Sequence, residues 1–107
     1  MRLEDILISI ERIQTYIEGM NYSQWSHDHK TIDAVTRNLE IIGEAANNIP
    51  WGIITRFPDI PWAHMRGMRN MLAHEYFGVD IEVIWKTAIE DLPELKKQIE
   101  RIDVHRL

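Results

Sequence analysis

Apolar residues recur along this chain at steps of three and four, the period of one helix face. Leu3, Ile6, Leu7, Ile10, Ile13 and Ile17 form the first such stripe, and Gly19 followed by Asn21 marks where that helix should stop. Residues 21–30 are polar and aromatic with no stripe, and read as a connection. A second helix is expected over residues 31–48, where Ile32, Val35, Leu39, Ile42, Ala46 and Ile49 alternate as a bundle seam. Gly43, Ala45 and Ala46 are small, so another helix can approach closely there. Pro50-Trp51-Gly52 breaks the run, and a short turn or helical piece through residues 53–57 follows. Asp59 is the expected cap of a third long helix and Pro61 suits its first turn. Trp62, Met65, Arg69, Leu72 and Tyr76 then step by three and four until Gly78 ends the run. Asp80 should cap the last helix, whose stripe is Ile81, Ile84, Ala88, Leu92, Leu95, Ile99 and Ile102. Pro93 interrupts it and predicts a kink, with Asp91 available to cap a restarted segment. No stretch reads as a strand. The expectation is an all-α, up-and-down helical bundle of about four long helices plus a short helical turn, in one domain over residues 1–107.

Length bears on how such a bundle is stabilised. A chain of 107 residues suits one domain, and at this size only roughly 60–70% of the unfolded surface is buried, so self-association would help. No apolar run approaches the ~18 residues of a membrane span. Met1-Arg2-Leu3-Glu4-Asp5 carries acids where a secretory signal would be basic and then apolar. The chain has no cysteine, which excludes disulfides and thiolate metal sites and suits a reducing compartment, so a cytoplasmic location is expected. A formal charge of −5 argues against nucleic-acid binding over the whole surface but leaves room for a local basic site. Between Pro61 and His74 the only charged side chains are Arg66 and Arg69, joined by titratable His64 and His74. Asp80, Glu82, Glu90 and Asp91 make the start of the last helix acidic by contrast.

That basic stretch also holds the candidate chemistry, in Arg69-Asn70-Met71-Leu72-Ala73-His74-Glu75-Tyr76. Arg69 falls in a seam slot where an apolar side chain belongs, and a buried guanidinium needs a partner. Either it snorkels or pairs with Glu40 or Glu44 across the bundle, or the seam faces a polar cleft or a second subunit. His74 lies five residues on, so on a regular helix the two side chains point about 140° apart. A single phosphate between them requires the helix to unwind near His74 or a second copy to complete the site. Tyr76 returns close to the azimuth of Arg69. A histidine in the last turn of a helix is usually a cap, though imidazolium is favoured there and suits proton transfer near neutrality. Arg37, Asn38, Glu40 and Glu44 read first as a solvated helix face. His27-Asp28-His29 has the look of a metal pair but more often such loop residues are only solvated. No paired E-x-x-H motif supports a carboxylate-bridged metal bundle, and no cofactor is expected.

The spelling Arg69-x4-His74-x-Tyr76 resembles the R-x4-H-x-Y signature of the HepT toxins in the HEPN superfamily. The likeness continues through Asp33-Ala34-Val35 and Arg37-Asn38-Leu39-Glu40-Ile41-Ile42-Gly43-Glu44-Ala45, through Ile60-Pro61-Trp62 and Gly67-Met68-Arg69-Asn70, and through Glu90-Asp91-Leu92-Pro93. Trp25 stands where that family would have phenylalanine, a change with no bearing on chemistry. The resemblance implies a homodimeric, metal-independent ribonuclease acting on RNA, with the motifs of two subunits meeting at the dimer interface. It implies Arg69 and His74 as catalytic residues, and as partner a small nucleotidyltransferase antitoxin of the MntA type that transfers AMP to Tyr76. Arg66 and Asn70 are then candidate RNA contacts. The competing reading is a non-catalytic helical module that holds a nucleotidyltransferase or its nucleotide in the same Arg/His cleft.

Overall fold

The computed structural model describes residues 3–69 and 80–104. Every regular element among them is helical: α1 (Leu3–Ile17), α2 (Tyr22–Ser26), α3 (His29–Asn47), α4 (Trp51–Arg56), α5 (Trp62–Gly67), α6 (Ile81–Lys86) and α7 (Leu92–Val104), with a π-helical turn (Thr87–Asp91) joining the last two. The fold is an all-α, HEPN-like helical bundle. Helix α1 packs along α3, α5 lies against α3, and the α6–α7 rod closes over α1 and α2.

The predicted stripes become the core. Ile6, Ile10, Ile13 and Ile17 of α1 are buried, as are Ile32, Val35, Leu39, Ile42 and Ala46 of α3. Ile84, Ala88, Leu92, Leu95, Ile99 and Ile102 do the same along the last rod. Burying one such aliphatic side chain is worth about 1.5–3 kcal/mol, which is why the three-and-four spacing outweighs local propensity. Gly19 adopts φ +76°, the left-handed conformation that terminates α1.

Three details depart from the sequence expectation. Residues 21–30 are not a bare connection. Asn21 and Gln24 form a reciprocal capping box, the Asn21 side chain accepting from Gln24 N–H at 2.9 Å and the Gln24 side chain accepting from Asn21 N–H at 2.9 Å. A five-residue helix is too short to display a stripe, and its one apolar anchor is Trp25. Second, α5 begins at Trp62 after Pro61, and Asp59 makes no cap bond to it. The start of α5 is held instead by Trp62 Nε1–H, which donates to the Phe57 carbonyl at 2.9 Å. Third, the interruption at Pro93 is not a fresh start: the turn before it widens, and Leu92 N–H reaches back five residues to the Thr87 carbonyl. Widening re-phases the bond ladder ahead of the proline, so the rod continues. Asp91 does not cap the restart but reaches across to His64. Asp80 does cap its helix, accepting from Glu82 N–H at 3.0 Å.

Trp25 is wholly buried, donates its indole N–H to the Ile81 carbonyl at 3.1 Å and packs against Trp85 with ring centroids 5.4 Å apart. It therefore clamps α2 onto the start of α6. Phenylalanine fills less of that space and has no donor, so Trp25→Phe should destabilise the fold by about 1–3 kcal/mol through the lost bond and the void. Urea unfolding checks this, with a lower midpoint at unchanged slope expected; an unmoved midpoint would show that the clamp contributes nothing.

Candidate functional site

The basic stretch begins on α5. Trp62, Met65 and Met68 are 4%, 0% and 1% exposed, so one face of this segment is spent on the core. Arg66 is half-buried, and His64 and Arg69 are exposed. The predicted stripe thus fails at its third member, because Met68 and not residue 69 supplies the core side chain.

Gly43 explains the exchange. A Cβ at position 43 would lie 2.6 Å from Arg69 N, 2.8 Å from Arg69 Cβ and 3.1 Å from Arg69 Cα. The main chain at Arg69 rests directly on the bare face of α3, as the small residues there allowed. No room remains between the helices for a longer side chain, and the guanidinium leaves for water. That exit avoids the desolvation of a buried charge. Among the described residues Arg69 makes no ion pair with Glu40 or Glu44, since Glu40 is bonded by its helix neighbour Arg37. The outcome is an exposed cation on a fixed backbone, with no ion pair among the described residues.

Two further polar side chains are fixed on these helices, one on α5 and one on α3. His64 Nε2 lies 3.1 Å from Asp91 Oδ2, tying α5 to the π-helical turn. Both groups are about half exposed, at 51% and 45%, so the pair adds little to stability and acts to hold the two elements in register. Asn38, expected on the solvated face of α3, is 5% exposed. Its Nδ2 donates to the Ala34 carbonyl at 2.9 Å, which satisfies the donor locally and permits burial. Its Oδ1 has no partner among the described residues. Arg37 does remain on the solvated face.

Of the residues singled out from the sequence, the structure places Arg66 and Arg69 on the same segment, one turn apart. Asn70, His74 and Tyr76 lie outside the described residues, as do the expected helix run to Tyr76 and its stop at Gly78. The His27-Asp28-His29 triplet serves local structure. Asp28 caps α3, accepting from Thr31 N–H at 3.0 Å and from the Thr31 hydroxyl at 2.7 Å. The backbone bond from Thr31, followed by that from its hydroxyl, holds the Asp28 carboxyl below its ordinary value. His27 Nδ1 lies 2.8 Å from the Ser23 carbonyl. Among the described residues no cluster of three or more His, Asp or Glu side chains is arranged to hold a metal ion, and no helix is long and apolar enough to cross a membrane.

Sequence reasoning missed the His64–Asp91 pair and the burial of Asn38. The pair joins residues 27 apart and leaves no periodic trace. Asn38 carried a signal in principle, since it stands three residues after Val35 and four before Ile42, both wholly buried.

Comparison with known proteins bears on the family of the chain. A family model described as Ribonuclease HepT-like matches residues 6–102. A Thermococcus cleftensis protein named "Probable ribonuclease HepT" is 47% identical over 100 residues, covering 94% of this chain and 91% of the relative. Relatives from Methanocaldococcus jannaschii and Caldanaerobacter subterraneus, named in a similarly provisional way as RNases, are 40% and 39% identical over 94% of this chain, covering 83% and 89% of their own lengths. No solved structure matches the chain significantly.

Proposed function

The chain belongs to the HepT-like ribonuclease family, and on that premise we propose that it is the toxin of a toxin–antitoxin pair, a metal-independent endoribonuclease that cuts RNA in the cytoplasm. The observation that carries the reading is Arg69: a guanidinium exposed to solvent, without an ion pair among the described residues, on a main chain pressed against Gly43. A solvent-exposed guanidinium on a fixed main chain is placed to take a phosphodiester.

In the reaction proposed, the 2′-hydroxyl of the RNA attacks the adjacent phosphorus. His74, or the pair of His74 residues of a homodimer, takes the 2′ proton and returns a proton to the departing 5′ oxygen. A 2′-oxygen–phosphorus bond forms as the bond to the 5′ oxygen breaks, leaving a 2′,3′-cyclic phosphate and a free 5′-hydroxyl. Arg69 holds the phosphate and stabilises charge growing on its non-bridging oxygens, a task suited to its fixed fork of donors. Arg66 and Asn70 add contacts to RNA. The five-residue spacing of Arg69 and His74 is the reason to place the complete site between two subunits. Control would come from a small MntA-type nucleotidyltransferase antitoxin that adenylylates Tyr76, setting a bulky anion beside Arg69 and excluding the substrate phosphate.

The test is cleavage of single-stranded RNA by the purified protein in EDTA, before and after exposure to the partner and ATP. Metal-free cleavage to cyclic-phosphate ends, abolished together with a mass gain of one AMP on Tyr76, is expected. Retention of nucleotide without any shortening of RNA would replace the enzyme by the non-catalytic binding module.

A further inference from the structure

Away from Arg66 and Arg69, a cleft of about 180 Å³ lies between the α4–α5 connection and α7, lined by Arg56, Phe57, Pro58, Asp59, Ile60, Gln98 and Arg101. Its chemistry is mixed in a particular way. Ile60 is buried and Phe57 half-buried, giving an apolar floor. Arg56 and Arg101 are exposed and come from elements remote in sequence. Neither forms an ion pair among the described residues, although Asp59 lines the same cleft; Arg56 lies 5.7 Å from the Phe57 ring centroid. Gln98 adds an amide donor. Elsewhere on this acidic chain, two cations are already engaged: Arg37 by Glu40 and Lys86 by Glu82.

We infer that this cleft binds a backbone phosphate of single-stranded RNA beyond the scissile one, with Arg56 and Arg101 as its two cations. The inference rests on the ribonuclease reading for the identity of the ligand. With a net charge of −5, most of the surface repels RNA, and a strand can be held only where local positive charge is unneutralised. Two arginines and an amide lining one cleft with an apolar floor suit a phosphate flanked by a sugar and a base edge. Ile60 on the cleft floor precedes α5 and Arg69 follows it in the chain, with α5 itself only six residues long. The cleft would then add affinity and register without touching the reacting atoms.

The experiment compares the full-length protein with R56E/R101E, and with R56Q/R101Q to separate loss of contact from new repulsion. Binding of a labelled single-stranded RNA carrying a 2′-deoxy substitution at the cleavage position is followed by fluorescence anisotropy over a range of salt, with thermal unfolding as the control for folding. Both arginines are exposed, so both variants should unfold as the parent does. Expected are a Kd higher by about tenfold or more in both variants and a shallower dependence of log K on log salt, by about 0.7 for one lost single-strand phosphate contact. In cleavage assays the same loss should appear in KM rather than kcat. Unchanged Kd and salt slope in both variants would overturn the inference even if the protein cuts RNA. Weakened binding in a protein that never cuts RNA would instead sink the ribonuclease reading and leave the cleft standing.

Discussion

Arg69→Ala should lower kcat for RNA cleavage by about 10²–10³-fold, the loss found when a donor to developing oxyanion charge is removed. Stability should barely change. The guanidinium is exposed and makes no ion pair among the described residues, and substitutions at such positions stay within about 0.5 kcal/mol. The Cβ, which makes the contact with Gly43, survives in alanine. The combination is diagnostic, because a structural arginine would show the opposite pattern. Arg69→Lys should recover only part of the rate, since a point charge replaces a planar fork. His74→Ala belongs to the same experiment and should cost roughly 10²–10⁴-fold through loss of proton transfer. The two losses should not sum in the double variant if both residues act in one step. Steady-state cleavage in EDTA alongside urea unfolding measures all of this. Wild-type turnover by Arg69→Ala would remove the arginine from the mechanism.

The second large effect is expected at a residue with no chemistry. Gly43→Ala would stabilise an isolated helix by about 1 kcal/mol, because alanine is the better helix former. Here the added methyl would meet main-chain nitrogen at 2.6 Å and Cβ at 2.8 Å, both of Arg69. The nitrogen is main chain and the Cβ is fixed by it, so neither can swing aside as a side-chain tip would. Overpacking of this kind costs about 1–3 kcal/mol, so the net sign should be destabilising despite the propensity gain. Relief requires the end of α5 to move off α3, carrying Arg69 with it. A displacement near 1 Å at a positioning residue can lower turnover by about 10²-fold. Gly43→Ala should therefore reduce both unfolding midpoint and kcat. In the Arg69→Ala background it should still destabilise, while lowering kcat little further. A Gly43→Ala protein more stable than the parent and fully active would mean that the close approach does not position the site.

These expectations divide between what the linear chain encodes and what docking adds. The stripes of α1, α3 and the C-terminal rod were legible because burial follows a local period, and a residue's neighbours at three and four positions are set by helix geometry alone. The stop at Gly19 and the N-terminal cap at Asp80 were legible for the same reason, as each acts on backbone groups within a turn of itself. The family was legible too, since its signature is a spelling. Arg69 marks the limit. Its spacing assigned it to the seam, yet only the approach of α5 onto Gly43 decided that its backbone would make the contact while Met68 filled the core. The hold of Trp25 on Ile81 likewise depended on which helices meet. His64 with Asp91, and Arg56 with Arg101, are juxtaposed by the same docking. Periodicity records which face of a helix is buried, whereas the distance between remote groups is set by how complementary surfaces settle against one another, and that is a property of the packed molecule.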